Sequence, residues 1–209
     1  MKKVFLIYGV LIAAILVVYF GFISGGKRHF EKSKAKALEV SQHSKEFNEA
    51  VDKLMTAYYS MTEAFVNWDS VSVNNYANEL KLAIDSLKLD DLKKDTAIYE
   101  TAFATWDGIR NEIQGMISDA TLEEKRQSLN LLSNQLYDLL RIIHYDTEKV
   151  YLQECPMAFN DEVPGNWLSK TQEVRNPYLG TKHPKYHSGM LNCGGPKDTL
   201  NFLPADANK

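Results

Sequence analysis

The sequence predicts an all-α fold made of an N-terminal membrane anchor, an antiparallel four-helix bundle and an irregular Gly/Pro-rich C-terminal segment packed on the bundle. Three observations carry that prediction. Val4 to Ile23 is a run of 20 residues without a charge. From Phe47 to Ile143 apolar residues recur at spacings of three and four, the period of a helix with one buried face. Beyond Leu152 the period stops, and five of the chain's six prolines fall between Pro156 and Pro196. The expected division is an anchor at 1–26, a bundle at 27–152, a motif-bearing segment at 153–196 and a loose tail at 197–209.

The apolar run is long enough to cross a membrane, because 20 helical residues at about 1.5 Å each span the roughly 30 Å hydrocarbon layer. A cleaved signal peptide has a shorter apolar core of about 7 to 15 residues, so an uncleaved anchor is the expectation. Charge alone favours a cytoplasmic body, since Lys27, Arg28, Lys32, Lys34 and Lys36 follow the span. A single N-terminal span is nevertheless the usual signal-anchor arrangement of an exported domain. We follow that reading and expect an inner-membrane span with the soluble domain in the periplasm.

The first helix is expected from Glu31 to about Trp68, with Phe47, Val51, Leu54, Tyr58, Met61, Phe65 and Trp68 on one stripe. Asp69 or Ser70 can cap a second helix carrying Val73, Tyr76, Leu80, Ile84 and Leu87, which ends near Asp90-Asp91. Asp95 can cap a third, with Ile98, Ala102, Trp106, Ile109, Ile113 and Met116 inward, fading at Ser118-Asp119. Thr121 with Glu124 reads as a capping box for a fourth, lined by Leu122, Leu129, Leu132, Leu136, Leu139 and Ile143. Short connections between four such helices imply an up-down bundle. No stripe is stable alone in water, so burial of the four against one another must supply most of the stability.

The C-terminal segment reads as turns and extended pieces, punctuated by Gly165, Gly180, Gly189, Gly194 and Gly195. Its aromatics Tyr151, Phe159, Trp167, Tyr178 and Tyr186 imply that it packs on the bundle. A long segment of this kind in a compact protein is usually functional or disordered. It holds both cysteines, Cys155 and Cys193, together with Met157, Met190, His183 and His187. Soft sulfur ligands with imidazoles suit a thiophilic ion, Cu(I) first, with silver or zinc as further candidates. In an extended chain Cys155 and Met157 point to the same side. His183, His187, Met190 and Cys193 are spaced by four, three and three, which would align them on a short helix that Gly189 weakens.

The competing reading of the two cysteines is a disulfide, because an exported chain with two of them ordinarily oxidises them. Closing a loop of about 39 residues would stabilise by about 4 kcal/mol in the chain-entropy view. The protein would then be a structural or interaction module of the cell envelope without a metal. His29, His43 and His144 read as solvated or structural residues. No Ser-His-Asp set, phosphate loop or haem-attachment motif is present, and Cys155 has no second cysteine nearby in sequence, so an enzyme is not expected. A nucleic-acid surface is not expected either: the first 30 residues hold four basic residues and no acid, leaving 20 basic against 27 acidic residues in the rest.

Four motifs carry a family likeness. Tyr151 to Ala158 (YLQECPMA), Trp167-Leu168-Ser169, Glu173 to Gly180 (EVRNPYLG) and Met190 to Gly194 (MLNCG) resemble a bacterial domain of unknown function, found alone or fused to periplasmic adaptor subunits of copper and silver efflux pumps. The resemblance covers roughly residues 45 to 196. It implies a helical periplasmic domain that binds copper through Cys155, Met157, Met190 and Cys193, with efflux-pump components as partners. Many members pass almost directly from Asn-Pro-Tyr-x-Gly to Met-Leu, whereas this sequence inserts Thr181 to Gly189, which contains His183 and His187. A membrane span also stands in place of the adaptor fusion.

Overall fold

The computed structural model describes residues 43–203. The predicted anchor and the chain up to residue 42 lie outside the described residues, as does the tail from residue 204. No helix among the described residues is long and apolar enough to cross a membrane.

Four helices follow in order: α1 (Lys45–Val66), α2 (Ser70–Ser86), α3 (Thr96–Ser118) and α4 (Leu122–Ile142), with a 3-10 turn at Leu89–Lys94. Their starts are written locally. Ser44, Asp69 and Asp95 each accept a hydrogen bond from a backbone N–H of the first turn, and Thr121 with Glu124 forms a reciprocal capping box. Two expected boundaries move. Ser44 starts α1 at Lys45, well after Glu31, and α2 stops at Ser86, with the 3-10 turn occupying the region of Asp90 and Asp91.

The stripes meet in one core. Val51, Leu54, Tyr58, Met61 and Phe65 of α1 are buried with Val73, Leu80 and Ile84 of α2, Ala102, Ile109, Ile113 and Met116 of α3, and Leu129, Leu132, Leu136 and Leu139 of α4. Burying each large side chain of this kind stabilises by about 2 kcal/mol, and the sum offsets the ordering entropy of the chain. Consecutive helices pack on one another. The Tyr58 hydroxyl joins α1 to α4 through the Ser133 hydroxyl at 2.6 Å and also accepts the Leu168 N–H at 3.0 Å.

The helix C-termini are closed by side chains from elsewhere in the fold. Trp106 donates its indole N–H to Ile84 O at the end of α2, and Lys125 donates its ammonium to Met116 O at the end of α3. At the end of α1, Arg126 donates to Phe65 O, while Thr181 donates both its N–H and its hydroxyl to Val66 O. Carbonyls that a helix leaves without an internal partner are thus satisfied by tertiary contacts.

The all-α expectation is overturned. The C-terminal segment forms a three-stranded antiparallel sheet, β1 (Val150–Phe159), β2 (Val163–Ser169) and β3 (Gly195–Leu200), in the order β2-β1-β3. The fold is therefore mixed α and β, and Lys197 to Leu200, expected in the tail, belong to a strand. The prolines and glycines that argued against strands are tolerated by position. Pro164 and Pro196 lie on the two edge strands, and Pro156 falls where the β1–β2 register shifts between Cys155 and Phe159. The sheet packs on α4 through β2, where Asn130 and Asn134 hydrogen bond the backbone and side chain of Asn166.

Candidate functional site

Directly opposed residues of neighbouring strands share a face of a sheet, so the pairs Gln153–Trp167 and Cys155–Gly165 line one side. The chain between β2 and β3 folds over that side. Phe159 and Trp167 meet the Tyr178 ring edge-on at 5.1 and 6.1 Å. Gly165 is needed for this fit, because a Cβ there would stand 2.7 Å from the Ala158 Cβ and 2.8 Å from the Tyr178 ring.

Asn176 ties this covering segment together. It is fully buried, at 0% exposure. Its side-chain oxygen accepts the N–H groups of Tyr178 and Leu179 at 2.8 and 3.0 Å, and its amide nitrogen donates to Cys193 O at 2.9 Å. Its backbone N–H donates to Leu191 O. One side chain therefore fixes both the Asn176-Pro177-Tyr178 turn and the backbone of Cys193.

A second anchor lies at the end of α1. Trp68 follows the helix with φ +58°, a conformation in which glycine is usual, and contacts on its indole ring help to hold it there. Its indole N–H donates to Leu179 O at 3.0 Å, and the Arg126 guanidinium lies 3.9 Å from its ring centre. Arg126 is 1% exposed and donates to Pro177 O at 3.0 Å. Burial lowers its pKa to about 10, which leaves it cationic at neutral pH. Gly180 completes the joint, since a Cβ there would lie 2.4 Å from Val66 O.

These anchors bring the two cysteines together. Cys155 Sγ and Cys193 Sγ are 2.9 Å apart, as free thiols. That separation is longer than a covalent disulfide of about 2.05 Å. It is shorter than the roughly 3.7 Å expected for two thiolates on one tetrahedral ion with metal–sulfur bonds near 2.3 Å. Cys155 is 0% exposed on β1, whereas Cys193 is partly exposed just before β3. Burial, and next the adjoining Cys155 thiol, push the Cys193 pKa up to about 12, so Cys193 is protonated at neutral pH. Gly194 has φ +116°, and a Cβ on it would lie 2.3 Å from Glu154 O, so the chain can pass this close to β1 only with glycine.

The other predicted ligands are placed unequally. Met157 is on β1 two residues beyond Cys155, and Met190 begins a turn closed by the Cys193 N–H to Met190 O bond at 3.0 Å; both are partly buried against the core. His183 is engaged elsewhere. Its Nδ1 accepts the N–H groups of Lys185 and Tyr186, and its ring stacks on Tyr186 and meets Trp68 edge-on. Burial, and next the Arg126 charge, lower its pKa. His187 is exposed, with its N–H bonded to His183 O in a turn, so the helical alignment expected for residues 183–193 does not form. Among the described residues no three His, Cys, Asp or Glu side chains gather as a metal cluster.

Sequence reasoning did not single out Arg126. It stands in the run Leu122-Glu123-Glu124-Lys125-Arg126, which reads as the polar start of a helix, and nothing local marks its burial. Tyr178 reads from the sequence as an aromatic packed on the bundle, and Gly180 and Gly194 as turn residues, while Asn176 is visible only as a motif letter. Their hydrogen bonds and close approaches give each a packing role.

A family model described as a protein of unknown function (DUF3347) matches residues 54–148. The match runs from within α1 through α4 and stops just before β1, so it covers the helices and leaves out the cysteine-bearing segment. Neither a curated protein nor a solved structure matches the chain.

Proposed function

We propose that the protein is a membrane-tethered periplasmic binder of a soft monovalent metal ion, Cu(I) foremost, that sequesters it or hands it to efflux components in copper or silver resistance. The ion is held between Cys155 and Cys193, with Met157 and Met190 as thioether ligands. The observation that carries this reading is that two thiols 38 residues apart stand 2.9 Å from each other in the fold. Thiolate and thioether sulfur select Cu(I) and Ag(I), which accept low coordination numbers. A structural zinc ion takes four ligands, and the described residues gather no His, Cys, Asp or Glu cluster of that kind. Uptake replaces thiol protons, so affinity rises with pH. The tether and the compartment rest on the apolar run Val4 to Ile23.

The test uses the full-length chain in detergent, reduced and free of oxygen. It is expected to take up about one Cu(I) per chain against a chromophoric chelator, with Ag(I) competing for the same site. Cys155→Ser combined with Met157→Leu is expected to weaken uptake by at least about a hundredfold, the loss of roughly 3 kcal/mol. His183→Ala with His187→Ala leaves it unchanged. Undiminished affinity in the Cys155/Met157 variant overturns the reading.

The short sulfur separation also favours a second reading, in which a Cys155–Cys193 disulfide pins the wrap of a structural module that binds no metal. Alkylation of the non-reduced protein followed by mass spectrometry separates the two. Two alkylated cysteines in protein taken from its native compartment remove the disulfide form.

A further inference from the structure

We propose that Cys155 and Cys193 form a thiol–disulfide gate on the metal site, open to the ion when both sulfurs are reduced and closed when they are joined. The gate rests on the metal-binding reading and adds a means of regulating the same site.

The two sulfurs differ in access. Cys155 is 0% exposed on the central strand, while Cys193 is partly exposed at the entry to β3. An oxidising disulfide, small or carried by a protein, therefore reaches Cys193 first. The Cys193 thiolate attacks one sulfur of the incoming disulfide and breaks its S–S bond. The other half departs as a thiolate and takes up the proton Cys193 gave up, leaving a mixed disulfide on Cys193. Cys155 stands 2.9 Å from the Cys193 sulfur. It loses its proton, attacks that sulfur and displaces the attached half, which leaves as a thiol. In sum, two protein thiols become one disulfide and one external disulfide becomes two thiols.

The backbone is already set for this exchange. Cys155 is fixed between its β2 partner and the neighbouring β1–β3 pairing of Glu154 with Gly195. The Cys193 carbonyl is pinned by Asn176, and Gly194 is pressed against Glu154. Closing the sulfurs to about 2.05 Å takes a side-chain movement of under about 1 Å. The fold is thus the same in both states, while the ligand pair is withdrawn from the ion. A bound ion holds both sulfurs and protects them.

The experiment treats the reduced full-length chain in detergent with glutathione disulfide. It reads thiol state by alkylation and mass and Cu(I) uptake by chelator competition, with and without prior Cu(I) loading. The expected result is an internal disulfide lacking both thiol hydrogens and a complete loss of stoichiometric uptake, reversed by reductant. The Cu(I)-loaded chain stays reduced over the same time, and Cys193→Ser forms neither the disulfide nor a glutathione adduct. A stable glutathione adduct on Cys193 without an internal disulfide overturns the gate, as does full Cu(I) uptake by the disulfide form. In both cases uptake by the reduced chain leaves the metal-binding reading standing. If the reduced chain takes up no Cu(I), the metal-binding reading fails and the gate with it.

Discussion

The helices and the C-terminal wrap are held by different kinds of interaction. Between the helices the contacts are largely apolar, a continuous core of Leu, Ile, Val, Met and Phe with few polar links such as Tyr58 to Ser133. The wrap shares that core through Trp167, Leu168, Tyr178 and Leu179, and is fixed in addition by single side chains bonded to backbone. Asn176 holds Tyr178, Leu179 and Cys193; Arg126 holds Pro177; Trp68 holds Leu179; Thr181 holds Val66. An apolar core loses stability gradually as it is trimmed, because neighbours relax into part of the lost volume. A wrap held by buried polar bonds fails one bond at a time, each leaving a donor or acceptor without water. The sulfur pair lies on the second kind of support.

Four measurements would break or sharpen that contrast, and the largest effect is expected at Gly194. Gly194→Ala places a Cβ against Glu154 O in a backbone region that suits only glycine. Denaturant unfolding is expected to show a loss of about 4 kcal/mol. A loss below about 1 kcal/mol would mean that the wrap yields as readily as the helices. Asn176→Ala comes next, at about 3 kcal/mol, because two buried N–H groups and the Cys193 carbonyl lose their partner. Its Cys193 is also expected to alkylate faster, a change that no substitution in the helix core should produce.

Thr121→Ala removes half of a capping box on the exposed start of α4. Here the expected loss is about 1 kcal/mol in thermal unfolding, with no change in the alkylation rate of Cys193. The smallest effect is a pH dependence. Cys193 titrates at about 12 in the fold, against 9.0 without these surroundings. The unfolded chain therefore loses this proton first as pH rises, and the contribution, fully present below about 9, is lost between there and about 12. Reduced protein should lose stability more steeply from pH 9 to 10 than Cys193→Ser does. Above 10 the buried hydroxyls of Tyr58 and Tyr178, both raised by desolvation, add a loss of the same sign.

The same contrast explains what could be read from the chain. Helix signals are local: a stripe repeats every three or four residues and a cap acts on its own first turn, so Asp69, Asp95 and Thr121 were legible as starts. The strands were not, because in Val163-Pro164-Gly165 and Gly195-Pro196 the residues that usually end a strand are accommodated by edge positions. Both faces of β1 are covered in part, so Leu152 and Gln153 are buried side by side and the alternating pattern of a half-exposed strand is lost. In the site, the chemistry of Cys155 and Cys193 pointed to each other, and the fold does bring their sulfurs together. The positions of His183 and His187 depend on Trp68 and Tyr186 and on a backbone turn, which no spacing rule contains.

Trp68 also gives the molecule a built-in optical reporter. The chain has three tryptophans, and each sits in a different part of the fold: Trp106 on α3, Trp167 on β2 and Trp68 at the joint between α1 and the wrap. Only the Trp68 ring has both the buried Arg126 cation against its face and an indole N–H bonded to the wrap at Leu179. The electric field of that cation shifts the emission colour of the indole, and release of the wrap exposes the ring to water. With Trp106 and Trp167 replaced by Phe, the remaining fluorescence follows a single event, the seating of the covering segment on the helices, and does so in real time without a label.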